Sequence, residues 1–143
     1  MGLQESTRHL LATELESLTS PERVKRLLLA LVRQRMTLED HAAQLEVERN
    51  ATGTRLERLR DDIRAWTEQA AQAVAEDRDE LARVALKKVA EHEQTRSAAE
   101  ARLDAAELEL EQTSAAIDRL NTRAREAMAR LRTLNVPAEG MRR

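Results

Sequence analysis

The sequence contains no cysteine, no phenylalanine and no tyrosine, and its single tryptophan is Trp66. Without cysteine there is neither a disulfide nor a thiolate metal site, which fits a reducing compartment. A globular core normally draws on several aromatics, because each buries a large area. A core restricted to Leu, Ala, Val and Ile suits thin seams between helices instead. Glycine (3) and proline (2) are scarce, so the chain has few places to turn. Gly2, Gly53 and Gly140 stand alone, which excludes a glycine-rich phosphate cradle. No apolar run approaches the roughly 18 residues that cross a bilayer. The longest is Leu27-Leu28-Leu29-Ala30-Leu31-Val32. The N-terminus has no basic flank followed by an apolar stretch, so no secretory signal is expected, and a cytoplasmic location is the default. The net charge of −2, from 24 basic and 26 acidic residues, gives no reason to expect a nucleic-acid partner.

What the chain does have is Ala, Glu, Leu and Arg at helical spacing, with 35% of its residues charged. That bias marks long helices and coiled coils. Ser20-Pro21-Glu22 predicts a helix start: a serine cap, proline at the first helical position and an acid in the first turn. From Val24, alternating steps of four and three residues give Leu28, Leu31, Arg35, Leu38, Ala42, Leu45, Arg49, Thr52, Leu56, Leu59, Ile63, Trp66, Ala70 and Ala73. This is a heptad seam flawed at Arg35, Arg49 and Thr52. After the polar run Glu76-Asp77-Arg78-Asp79-Glu80, a second seam starts in a new phase. It comprises Ala82, Ala85, Val89, His92, Arg96, Ala99, Leu103, Ala106, Leu110, Thr113, Ile117, Leu120, Ala124, Ala127, Leu131 and Leu134. Pro137 is expected to end it.

Two stripes of matching length joined by a short polar break bury each other only by folding back, because an amphipathic helix in water is stabilised chiefly by packing its apolar face. The expected fold is therefore all-α, a long antiparallel coiled-coil helical hairpin with a short N-terminal helical segment. Residues 1–20 form that segment, arms of about 21–77 and 80–135 form the hairpin, and 136–143 form a disordered tail. Residues facing each other across the seam should have numbers summing to roughly 157, within about one helical turn. Trp66 then lies near His92, Leu59 near Ala99 and Leu45 near Thr113. Asn50-Ala51-Thr52-Gly53-Thr54 is a weak stretch where a bend is expected. A full break there would give a shorter three-helix bundle.

A two-helix hairpin offers no cavity in which catalytic groups converge, so no enzyme activity, cofactor or small-molecule substrate is expected. His9, His41 and His92 lie far apart without a second ligand at metal-binding spacing. His92 sits on the seam, where packing against Trp66 is the expected role and a pH-sensitive contact the sharper one. Trp66 reads as a seam filler or, because tryptophan is enriched at binding hot spots, a partner contact. Residues 61–80 hold seven acids and two bases; residues 119–143 hold seven arginines and two acids. Opposite charge in two regions favours self-association, and a basic region also attracts anionic lipid. Leu27, Val32, Leu81, Leu86 and Leu108 fall off the seam and are candidates for a second contact stripe.

The stretch Trp66-Thr67-Glu68-Gln69-Ala70, followed by Ala73 to Leu86 with its Glu76-Asp77-Arg78-Asp79-Glu80-Leu81-Ala82-Arg83 core, resembles the hairpin tip of the phage shock protein A family. Pro21 with Arg26 and Leu27 is similar to the start of that family's first long helix. The resemblance spans about residues 20 to 135. It implies a hairpin-only, short member of this ESCRT-III-related group of bacterial and plastid peripheral membrane proteins, which polymerise and maintain stressed membranes. Its bacterial founder also binds and inhibits a transcription-activating ATPase. The resemblance places partner binding at the tip, on Trp66, Asp77, Arg78, Asp79, Glu80, Leu81 and Arg83. The candidate lipid-facing residues are Leu3, Leu10, Leu11, Leu15 and Leu18. The segment that carries them has Glu5, Glu14 and Glu16 against Arg8, whereas an interfacial helix wants a basic polar face with Trp or Phe on the other. The leading expectation is thus a protein of the bacterial membrane-stress response that acts through protein binding, to itself, a full-length relative or a regulatory ATPase. It is expected to be cytoplasmic or peripheral at the inner membrane. The alternatives are direct membrane remodelling on anionic lipid and an unrelated coiled-coil spacer.

Overall fold

The computed structural model describes residues 20–140, with side chains through Asn135. The N-terminal segment, including Leu3, Leu10, Leu11, Leu15 and Leu18, lies outside the described residues. Helix α1 runs Pro21–Ala75 and helix α2 runs Asp79–Gly140. The two pack against each other as an all-α helical hairpin, with no strand among the described residues.

The start of α1 follows its sequence signature. The Ser20 hydroxyl oxygen accepts from the Arg23 amide at 3.3 Å, and the Ser20 carbonyl accepts from Val24 at 3.3 Å. The first bond satisfies an amide that the helix leaves unpaired at its start, and the second is the first backbone bond of the helix itself. Pro21 occupies the position where a missing N–H costs nothing.

Helix α1 is continuous through Asn50–Thr54, so the three-helix alternative does not arise. The Thr54 hydroxyl donates to the Asn50 carbonyl at 3.1 Å, which lets a poor helix former satisfy its polar group within the helix. Gly53 has an ordinary negative φ, and a Cβ built on it would meet nothing within 4 Å. No turn or close approach requires glycine here.

The other end departs from expectation. Helix α2 continues through Val136 and Pro137 to Gly140, past the expected stop at residue 135. A proline forfeits one backbone bond, to the carbonyl four residues before it. The residues that follow Pro137 remain helical, so the loss of that one bond does not end α2.

The packing divides into two compact units. One combines α1 up to His41 with α2 from Thr113; the other is Ala42–Gln112 with the turn at its centre. In the first, Val24 and Ala127 are fully buried, and Leu27, Leu28, Leu131 and Leu134 pack against them. In the second, Leu56, Leu59 and Ala99 form a buried cluster with Leu103 against it. Leu59 and Ala99 are thus neighbours, as the register predicts. Trp66 and His92 are both half-buried on the seam, and Leu45 and Thr113 are both buried.

Every buried side chain among the described residues falls on one of the two heptad stripes, from Val24 through Ala127. Thr113 is the polar member of that set. Leu27 and Val32, off the stripe by phase, are nonetheless half-buried, because residues flanking a seam still cover its edge. In contrast, Leu81, Leu86 and Leu108 are more than half exposed.

Arg35 resolves one flaw in the stripe. Its guanidinium donates through Nη1 to Asn121 Oδ1 at 3.1 Å, bridging α1 to α2, while Nε lies 3.7 Å from Glu39 Oε1 on its own helix. A polar group placed among apolar seam positions finds its partner in one register only, which opposes slippage.

Two stability effects follow. Gly53→Ala should raise the unfolding free energy by about 1 kcal/mol, since alanine is the better helix former and no contact opposes it; urea titration followed by circular dichroism measures this. Asn121→Ala removes the acceptor of the cross-helix bond and should cost about 1 kcal/mol in the same titration.

Candidate partner-binding site at the hairpin turn

The reversal between α1 and α2 takes only Glu76, Asp77 and Arg78. Its geometry is a Schellman cap. Asp77 adopts a left-handed backbone with φ of 55°. The Arg78 amide donates to the Ala73 carbonyl at 2.8 Å, and the Asp77 amide donates to the Val74 carbonyl at 3.2 Å. These are the two bonds by which this motif satisfies the final carbonyls of a helix. The Arg78 carbonyl then accepts from the Ala82 amide at 3.0 Å, opening α2. Arg78 is at once the residue that completes the cap of α1 and the residue that starts α2.

Side chains reinforce the turn. Arg78 Nε lies 3.4 Å from Glu76 Oε2, and Gln72 Nε2 donates to Glu76 Oε1 at 3.3 Å. Glu80 Oε1 and Arg83 Nη1 are 3.7 Å apart within the first turn of α2. All are exposed pairs, worth little to stability individually. Asp79 and Glu80 lie in the first turn of α2, where the helix dipole favours negative charge.

Asp77, Arg78, Asp79, Glu80, Leu81 and Arg83 are therefore gathered in one exposed segment. Trp66 is not among them. It sits on the α1 seam, nine residues before Ala75, or about 13 Å along the helix axis. Its ring is half-buried, so it belongs to the core while part of it still meets solvent.

Three residues join the apex that the sequence reading did not single out as site residues. Glu76 is the ion-pair partner of Arg78. Val74 is 61% exposed and Val84 53% exposed, alongside Leu81 at 53%. Leu81 and Val84, three apart, share a face of α2. The heptad phase contains this signal, since neither valine lies on a stripe. Directly below them the seam is all alanine: Ala70, Ala73, Ala82 and Ala85 are each buried. The turn thus presents carboxylates, two guanidinium groups and exposed aliphatic side chains over a thin small-residue seam.

Among the described residues, no group of three or more His, Asp or Glu side chains is placed to hold a metal ion, and no helix is long and apolar enough to cross a membrane. No protein-family model matches the chain, and no curated protein is significantly similar to it.

The backbone at Asp77 gives a direct test. A left-handed conformation costs an L-residue roughly 1–2 kcal/mol, and aspartate tolerates it better than most. Asp77→Gly should raise the unfolding free energy by about 1 kcal/mol, while Asp77→Val should lower it by more than that. The ordering Gly above Asp above Val in thermal midpoint is the outcome to check.

Proposed function

We propose that the protein is a non-enzymatic adaptor of a bacterial membrane-stress response, acting by gripping a protein partner with its hairpin turn. The resemblance of residues 66–86 to the tip of the phage shock protein A family motivates the assignment. The observation that carries it is the composition of the apex. Asp77, Asp79, Glu80, Leu81 and Val84 project from a hydrogen-bonded, three-residue reversal, and the apolar members are more than half exposed. Exposed aliphatic side chains ringed by charge are the makeup of a protein-binding surface. A merely solvated turn has no use for Val74, Leu81 and Val84. It would also gain stability from glycine at position 77, where an aspartate stands with positive φ.

On this reading the partner is a full-length relative or a regulatory ATPase. Its complementary surface combines an apolar groove with basic residues for Asp77, Asp79 and Glu80. The adaptor works in the cytoplasm, at or near the inner membrane.

The experiment is titration of the purified chain with a full-length phage-shock-type protein and with the ATPase domain of a transcription activator. Trp66 fluorescence serves as the internal reporter, because it is the only tryptophan. Saturable binding to one of them, weakened about tenfold or more by Asp79→Lys with Glu80→Lys while circular dichroism shows the helices retained, is expected. Absence of binding to both, or binding indifferent to that double charge reversal, would overturn the assignment.

A further inference from the structure

The chain is nearly neutral as a whole, but its two compact units are not. The described residues of the first unit, 20–41 and 113–135, carry ten Lys and Arg against five Asp and Glu, a net of +5. The second, 42–112, carries eleven against seventeen, a net of −6. Folding does not relieve the first imbalance, because both of its helical segments are basic: +2 from residues 20–41 and +3 from 113–135. Pairing α1 with α2 sets excess positive charge beside excess positive charge.

The basic unit also leaves apolar surface uncovered. Leu29 is 51% exposed and Met36 57% exposed. With half-buried Val32 they follow the i, i+3, i+7 spacing of a single helix face. Met128, on α2 in the same unit, is 49% exposed. Arg33 and Arg132 are exposed in this unit as well. The acidic unit has its own uncovered residues away from the turn, Val47 at 69% and Leu108 at 56%.

We infer that the face carrying Leu29, Val32 and Met36 is covered by the acidic unit of a second copy of this chain, in a reciprocal two-fold pairing. Each copy offers one basic unit and one acidic unit. A two-fold dimer that crosses them neutralises both imbalances at once, and each contact occurs twice. Copies aligned in the same order would instead set +5 against +5 and −6 against −6, which is repulsive. Charge thus selects the crossed arrangement, and the apolar face supplies burial once the copies meet. The surface is separate from the hairpin turn and does not depend on what the turn binds.

The experiment is sedimentation velocity on the full chain at low salt, about 20 mM, and at high salt, about 500 mM, where exposed charges are screened within a few ångströms. A dimer is expected at low salt, with its dissociation constant raised about tenfold or more at high salt. Two variants sharpen this: Arg33→Glu with Arg132→Glu in the basic unit, and Asp61→Lys with Asp62→Lys in the acidic unit. All four positions are exposed. Reversing two charges takes the basic unit from +5 to +1, or the acidic unit from −6 to −2, so each variant alone should dimerise at least about tenfold more weakly than the wild type. Mixed, they should form a heterodimer tighter than either homodimer, since one of its two pairings keeps its native charges. Recovery in the mixture shows that both variants are folded. A monomeric wild type at low salt, a dimer indifferent to salt, or single variants that dimerise like the wild type would each overturn the inference. Flotation of a monomeric wild type with anionic vesicles, lost in Arg33→Glu with Arg132→Glu, would assign the same face to lipid instead.

Discussion

Reciprocal burial of two heptad stripes is the constraint on which everything else in this protein rests. Among the described residues every buried side chain lies on one of the two stripes, and the chain carries no aromatic anchor beyond one tryptophan. Leucine supplies the bulk at Leu31, Leu45, Leu56, Leu59 and Leu120, while alanine fills Ala70, Ala73, Ala82, Ala85, Ala99, Ala106 and Ala127. Alanine buries little area, but it costs no side-chain entropy and is the best helix former. The alanines concentrate next to the turn. There the helices must converge within three residues, and small side chains let them do so.

The turn is where this constraint meets the proposed function. A reversal this short has to satisfy the last carbonyls of one helix and the first amides of the next with almost no chain. The Schellman bonds from Asp77 and Arg78, and the shared role of Arg78, accomplish that. The same economy exposes every side chain from Ala71 to Leu81 except Ala73. Compact backbone chemistry therefore leaves the side chains free for recognition, and those present are carboxylates, an arginine and aliphatics. On the proposed reading the protein presents a preorganised apex, which lowers the ordering cost of binding.

Polar residues on the seam play a different part. Arg35 reaches Asn121 across the helices, so its charge is accommodated without leaving the stripe. Arg96 pairs with Glu100 on its own helix at 3.8 Å, and its Nε is buried without a hydrogen bond. Such groups weaken a seam relative to leucine, but a bond between the helices such as that of Arg35 distinguishes one register from its neighbours. The uneven division of charge between the two units acts at a longer range, on which molecules approach and in what order.

The sequence by itself determined the helices, the seam and the place of reversal. The phase from Val24 to Ala73 and from Ala82 to Leu134 is a one-dimensional property, because a helix converts spacing directly into a face. Ser20 and Pro21 likewise announce the start of α1 locally. Tertiary structure decided what spacing does not encode. Asp77 takes the left-handed conformation because the chain must reverse there, and nothing in Glu76-Asp77-Arg78 names which of the three does so. Arg35 is a flaw in the pattern until Asn121, 86 positions away, is brought against it. Leu27 and Val32 are off-phase residues that become half-buried beside the seam, whereas Leu81 and Leu86, equally off-phase, stay exposed. Pro137 reads as a stop, yet α2 continues three residues beyond it, to Gly140, since a proline removes one backbone bond without by itself fixing where the helix ends. Trp66 stays on the seam about 13 Å short of the apex it was grouped with, since adjacency in a motif is not adjacency along a helix that rises 1.5 Å per residue.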